Sequence, residues 1–171
     1  MKKRVLLIIA CMMLLCIAVG LCLYAIPHYT KIRESMQATK LDKDGNTTGT
    51  DTIILQGSFN NYLLKEDTLE LTINPFGTLK SIVMADTGSG NTFTVPVAFD
   101  DFYTFTFLAW DTSKEDSVFC TVTVSQDFEY WVFRVGDNDQ PIYYVASASN
   151  EYTVKEIVQY FKGIAPGYKA P

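Results

Sequence analysis

The feature that most constrains this chain is Val5 to Ile26, an apolar run of about 22 residues with no charge and no strong helix breaker before Pro27. At about 1.5 Å per residue a helix of that length reaches around 33 Å, enough for a hydrocarbon core of about 30 Å. The expectation is a transmembrane signal-anchor over residues 5–26, with the membrane as its first partner.

Charge sets the expected orientation. Lys2, Lys3 and Arg4 precede the run, and the first acidic residue is Glu34. Positive charge beside a span stays on the cytoplasmic side, so residues 1–4 form a cytoplasmic flank and the C-terminal domain lies extracytoplasmic. Lys31 and Arg33 on the far side oppose this weakly. A basic start followed by an apolar region is also the layout of a signal peptide. Cleavage after Ala25 would give a secreted product, although Leu23 and Tyr24 are larger than the residues a peptidase prefers. Ile8-Ile9-Ala10-Cys11 resembles the lipobox of bacterial lipoproteins, which would imply a lipidated Cys11, but here the apolar run continues past that cysteine.

Three of the 14 Lys and Arg lie in residues 1–4, leaving 11 against 19 Asp and Glu, or −8 for the rest of the chain. A domain so charged is repelled by nucleic acid, and no nucleic-acid partner is expected. Cys11, Cys16 and Cys22 sit inside the run, and only Cys120 lies beyond it. No intradomain disulfide can form there, so the domain stands on packing alone. Cys11 and Cys22, eleven residues apart, share a helix face.

Residues 27–51 read as a stalk and flexible linker. Ile32 and Met36 are one helical turn apart, and Leu41 to Asp51 is built of turn formers and small polar residues. From Thr52 the apolar period becomes two. Thr52 to Leu64 alternates around Gly57, as one bent strand or two. Leu69, Leu71 and Ile73 point one way, and Pro75-Phe76-Gly77 turns the chain. Short strands follow at Leu79 to Met84 and Thr92 to Val97, separated by a loop at 85–91. Phe102 to Trp110 carries aromatic residues on both faces and is expected to be covered on both. Val118, Cys120, Val122 and Val124 alternate, which puts Cys120 in the core. Glu129 to Val135 and Pro141 to Ala146 flank a hairpin signal at 136–140. Thr153 and Glu156 have capping-box spacing, Val154, Ile157, Val158 and Phe161 form a stripe, and Gly163 stands where a helix is often closed. A helix of about nine residues is too short to be stable alone in water and must dock on the sheet.

The fold expected is therefore mainly β: the N-terminal transmembrane helix, then an antiparallel β-sandwich or up-and-down barrel at residues 52–163 with one C-terminal amphipathic helix, and a tail at 164–171.

Chemistry finds little purchase. The single histidine, His28, lies two residues past the run, so no Ser-His-Asp, Cys-His or multi-histidine metal site can be assembled in the domain. Asp42-Lys43-Asp44-Gly45-Asn46 has calcium-loop flavour, but the sixth and twelfth positions are Thr47 and Ile53, not Gly and Glu. Asp137-Asn138-Asp139 is explained by hairpin chemistry. Asp100-Asp101, Glu115-Asp116 and Glu66-Asp67 are sequence neighbours, and on a strand neighbours face opposite ways, so none is a converging dyad. Gly88-Ser89-Gly90 lacks the lysine and following helix of a phosphate loop. No catalytic, metal or cofactor residue is assigned, and no cofactor is expected.

What remains is an aromatic excess: Phe102, Tyr103, Phe105, Phe107, Trp110, Tyr130, Trp131, Phe133, Tyr143 and Tyr144. Most belong in a core, and any left exposed form a recognition patch. Leu55-Gln56-Gly57-Ser58-Phe59 resembles the Gly-x-Trp opening of lipocalin-like barrels, with Phe59 in place of the Trp, and a helix after the strands is similar to that family's order. The resemblance implies an apolar cavity holding a small ligand. The leading expectation is a non-enzymatic, membrane-anchored β domain that binds a protein or cell-envelope component. The alternative is the ligand-carrying barrel.

Overall fold

The computed structural model describes residues 2–26, 28–62, 67–83, 92–97, 102–136 and 140–164. Helix α1 (Lys2–Ala25) is followed by nine strands: β1 (His28–Leu41), β2 (Thr47–Asn61), β3 (Asp67–Ile73), β4 (Leu79–Val83), β5 (Thr92–Val97), β6 (Phe102–Asp111), β7 (Asp116–Ser125), β8 (Tyr130–Val135) and β9 (Ile142–Ser147). Helix α2 (Val154–Ile164) comes last. All nine strands belong to one antiparallel sheet in the order β4-β6-β7-β8-β9-β1-β2-β3-β5. It is curled into a half-barrel. Among the described residues there is no second stacked sheet, and β4 and β5 are the two edges of the one present, so neither the sandwich nor the closed barrel describes it.

The largest correction falls on residues 27–51. His28–Leu41 is a fourteen-residue strand, and Thr47–Asp51 begins the next one. Ile32, Met36 and Ala38 are buried on its inner face. Spacing of four satisfies a period of two as well as a helical turn, so the pair Ile32 and Met36 did not distinguish strand from helix. The turn formers serve as a hairpin loop. Asp42 Oδ1 accepts from the backbone N–H groups of Asp44 (2.9 Å) and Asn46 (2.8 Å), and Gly45 takes φ 82°. Thr52–Asn61 lies on one continuous strand through Gly57.

α1 is 24 residues long, about 36 Å, with Ile8, Met12, Leu15, Val19 and Leu23 all exposed. Among the described residues no helix is long and apolar enough to cross a membrane, and the side chains of Val5, Leu6 and Leu7 lie outside them. The expected span over Val5 to Ile26 is thus helical as far as Ala25.

Among the described residues the inner face of the sheet is closely packed. Met36, Leu55, Leu71, Cys120, Trp131 and Phe133 are fully buried there. Each end is stoppered by an aromatic residue from a connection. Phe128, between β7 and β8, packs on Phe59 and Tyr103 with ring centroids 5.3 and 5.6 Å away. At the other end Phe76, between β3 and β4, meets Phe133 and Tyr144 edge-on. The next residue, Gly77 (φ 58°), donates its N–H to Asp51 and lies too close to the Tyr144 hydroxyl for any side chain.

α2 covers the outer face of β8 and β9. Ile157 and Phe161 are fully buried against Leu41, Val132, Tyr143 and Val145, contributing about 2 kcal/mol each. Its start is the anticipated capping box: the Thr153 N–H and hydroxyl both donate to Glu156 Oε2, at 2.8 and 2.7 Å. Gly163 does not close the helix. It lies inside the last turn without positive φ.

Candidate functional site

The sequence-designated groups scatter. His28 is exposed at the first position of β1. The oxygens of Asp42 are occupied by Asp44 and Asn46 donors, and those contacts, the Asn46 ones foremost, hold its carboxyl below the usual aspartate range. Asp67 is buried and accepts from Asn61 Nδ2 (2.9 Å) and the Tyr62 N–H (2.8 Å), tying the end of β2 to the start of β3. Glu115 sits in the β6–β7 turn at φ 53°, and Asp116 accepts from the Ser117 N–H at 2.7 Å. Asp100-Asp101, Glu66, Gly88-Ser89-Gly90 and Asp137-Asn138-Asp139 lie outside the described residues. No group of three or more His, Cys, Asp or Glu able to hold a metal occurs among the described residues. Cys120 is fully buried, and burial pushes its thiol far up, which makes it unreactive while the domain is folded.

The aromatic residues divide by face. Phe105, Phe107, Trp131, Phe133 and Tyr144 are interior, and Tyr143 is buried under α2. Phe102 and Tyr130 are half-buried, in ring contact with Phe161 and Tyr160. β6 is not covered on both sides as expected, because α2 extends only over its first outward residue, Phe102. Thr104, Thr106 and Trp110 are exposed beyond it.

The bare stretch forms one surface. Leu108 on β6 pairs directly with Phe119 on β7, and Trp110 follows two residues on, on the same face. Phe119 is 62 % exposed and Trp110 40 %. A threonine pair extends the face toward α2, with the Thr106 and Thr121 hydroxyls 3.1 Å apart, and at the next pair, Thr104 and Thr123 (3.5 Å), Thr123 is already buried. Arg134 of β8 stands opposite Thr121. Phe119 was legible in principle: with Val118, Cys120 and Val122 inward, period two sends it outward.

An open groove of about 450 Å³ runs between α2 and the β1–β2 turn, lined by Leu41, Gly45, Thr47, Val154, Val158 and Lys162. Compared with known proteins, the chain matches no family model, and no curated relative or solved structure is significantly similar to it.

Proposed function

We propose that this chain is a membrane-anchored, extracytoplasmic, non-enzymatic β domain that binds another protein or a cell-envelope component. The observation that carries the reading is the face on which Trp110 and Phe119 stand exposed beside half-buried Leu108. Large aromatic side chains cost free energy when left in water, and contiguous ones mark interaction surfaces. Membrane placement is supported by the absence of charge from Val5 to Ile26, by the exposed apolar flanks of α1 and by the basic residues before it. Release after cleavage near Ala25 is the competing processing route. The lipocalin-like alternative needs a cavity of at least about 300 Å³, and the close packing of the described inner-face residues speaks against it.

Fractionation of the tagged chain, with protease added from outside the cell, tests the placement. The expected outcome is a chain that stays with membranes through an alkaline wash, keeps its N-terminus and loses its C-terminal domain to the protease. A soluble chain with an intact N-terminus would overturn it. Photocrosslinking from position 119, against position 43 as control, tests the face in the same cells. Discrete adducts are expected from 119 alone, and equal patterns from both positions, or none from 119, would reject it.

A further inference from the structure

β1 outruns its neighbour on one side. Along β2 it is paired over its whole length, from His28↔Asn61 to Leu41↔Thr47, whereas β9 meets it only at Thr39, Lys40 and Leu41. Past β9 the chain turns away through Asn150 (φ 58°), whose side-chain oxygen accepts the Gln37 backbone N–H at 2.8 Å. That bond fixes a direction. The Gln37 N–H points away from β2, and since alternate strand residues point alike, so do those of Ser35, Arg33, Lys31 and Tyr29. The register is unbroken from His28 to Lys40. Among the described residues, no strand and no backbone hydrogen bond from a turn or loop meets that edge.

We propose that the Tyr29–Ser35 edge of β1 is a strand-addition site for an extended peptide of another polypeptide, one that alternates acidic and apolar residues. Each of the four outward residues offers an N–H and a C=O to an incoming antiparallel strand. Lys31 and Arg33 are exposed on the outer face, while Ile32 and Met36 are buried on the inner one. An added strand therefore meets cations on its outer face, while its inward side chains lie along the border of the core row that holds Ile32 and Met36. Glu34, also turned inward and close to Glu129, repels a carboxylate on the inner side and confines the ligand's acids to the outer one. A second copy of this chain is a poor occupant, because pairing β1 with β1 would set Lys31 and Arg33 against their own kind. This edge is separate from the aromatic face, and the proposal does not depend on that face.

The test is amide hydrogen exchange on the full chain in detergent micelles, with a capped hexapeptide alternating Glu and Val as the probe. Binding slows exchange about tenfold or more at Tyr29, Lys31, Arg33 and Ser35, and leaves the β2-paired amides of Thr30, Ile32 and Glu34 unchanged. The double variant K31E/R33E loses this protection and regains it with a Lys–Val hexapeptide. Ser35→Pro removes only an outward N–H, so it keeps the fold and weakens binding. No slowing at millimolar peptide overturns the proposal. So does equal slowing by both peptides on the unaltered chain, or slowing confined to β6 and β7.

Discussion

The rings of Phe59 on β2 and Tyr103 on β6 lie 5.4 Å apart, although four strands separate β2 from β6 in the sheet. Only a sheet rolled onto itself brings them together, and Phe128 completes the cluster. Phe59→Ala should therefore remove the contact that holds the roll at this end, at a cost of about 3 kcal/mol in urea unfolding. A cost near that of an exposed substitution would mean the roll is held elsewhere.

Two glycines on β2 should behave oppositely. A Cβ at Gly57 would strike the backbone carbonyl of Glu70 and lie 2.9 Å from the Leu71 Cα, whereas one at Gly49 meets nothing within 4 Å. Backbone cannot step aside as a side-chain tip can, so Gly57→Ala should destabilise by about 3 kcal/mol or more. Gly49→Ala should leave the unfolding midpoint unchanged or slightly raised. Thermal unfolding of the two variants side by side checks this.

Glu34 and Glu129 should give opposite pH signatures. Partial burial raises the Glu129 carboxyl, but donors from Ser147 and Ser149 (2.5 and 2.6 Å to the hydroxyls) outweigh it and hold the group below its ordinary value of 4.5. Its contribution is present above that value and is lost as pH falls through the lowered one. Burial, then repulsion from Glu129, raises Glu34 above 4.5, so its contribution is present below 4.5 and disappears as pH rises through the raised value. Glu129→Gln should lower the urea midpoint at pH 7 and flatten its fall in acid. Glu34→Gln should raise the midpoint at pH 7, with the gain vanishing below pH 4.5.

The cap of α2 offers a local test. Thr153→Ala deletes the hydroxyl that bonds Glu156 and should cost about 1 kcal/mol, with faster amide exchange in the first turn of α2 and over Val132 and Val145. Unchanged exchange there would show that docking through Phe161 alone holds the helix.

Much of the domain could be read from the sequence by period. The alternation through Val118–Val124, the hairpin joining β8 to β9 and the capping box of α2 appear where local chemistry put them. β1 did not, because its apolar residues are sparse and the four-residue spacing of Ile32 and Met36 fits a helical turn as well as a strand. Sheet order and the degree of rolling depend on contacts such as Phe59 with Tyr103, which no window of neighbouring residues contains. Of the surface, Trp110 was among the aromatic candidates, while Phe119 was hidden in a strand judged by its inward valines.

Between the last helical residue, Ala25, and the first strand residue, His28, stand only Ile26 and Pro27. Two residues extend about 7 Å at most, so the leash is almost nil. Were α1 held in a bilayer as proposed, a domain tied this closely could not search at a distance, and its working zone would be a thin layer around the end of α1. Anything that engages it would then have to come to that layer.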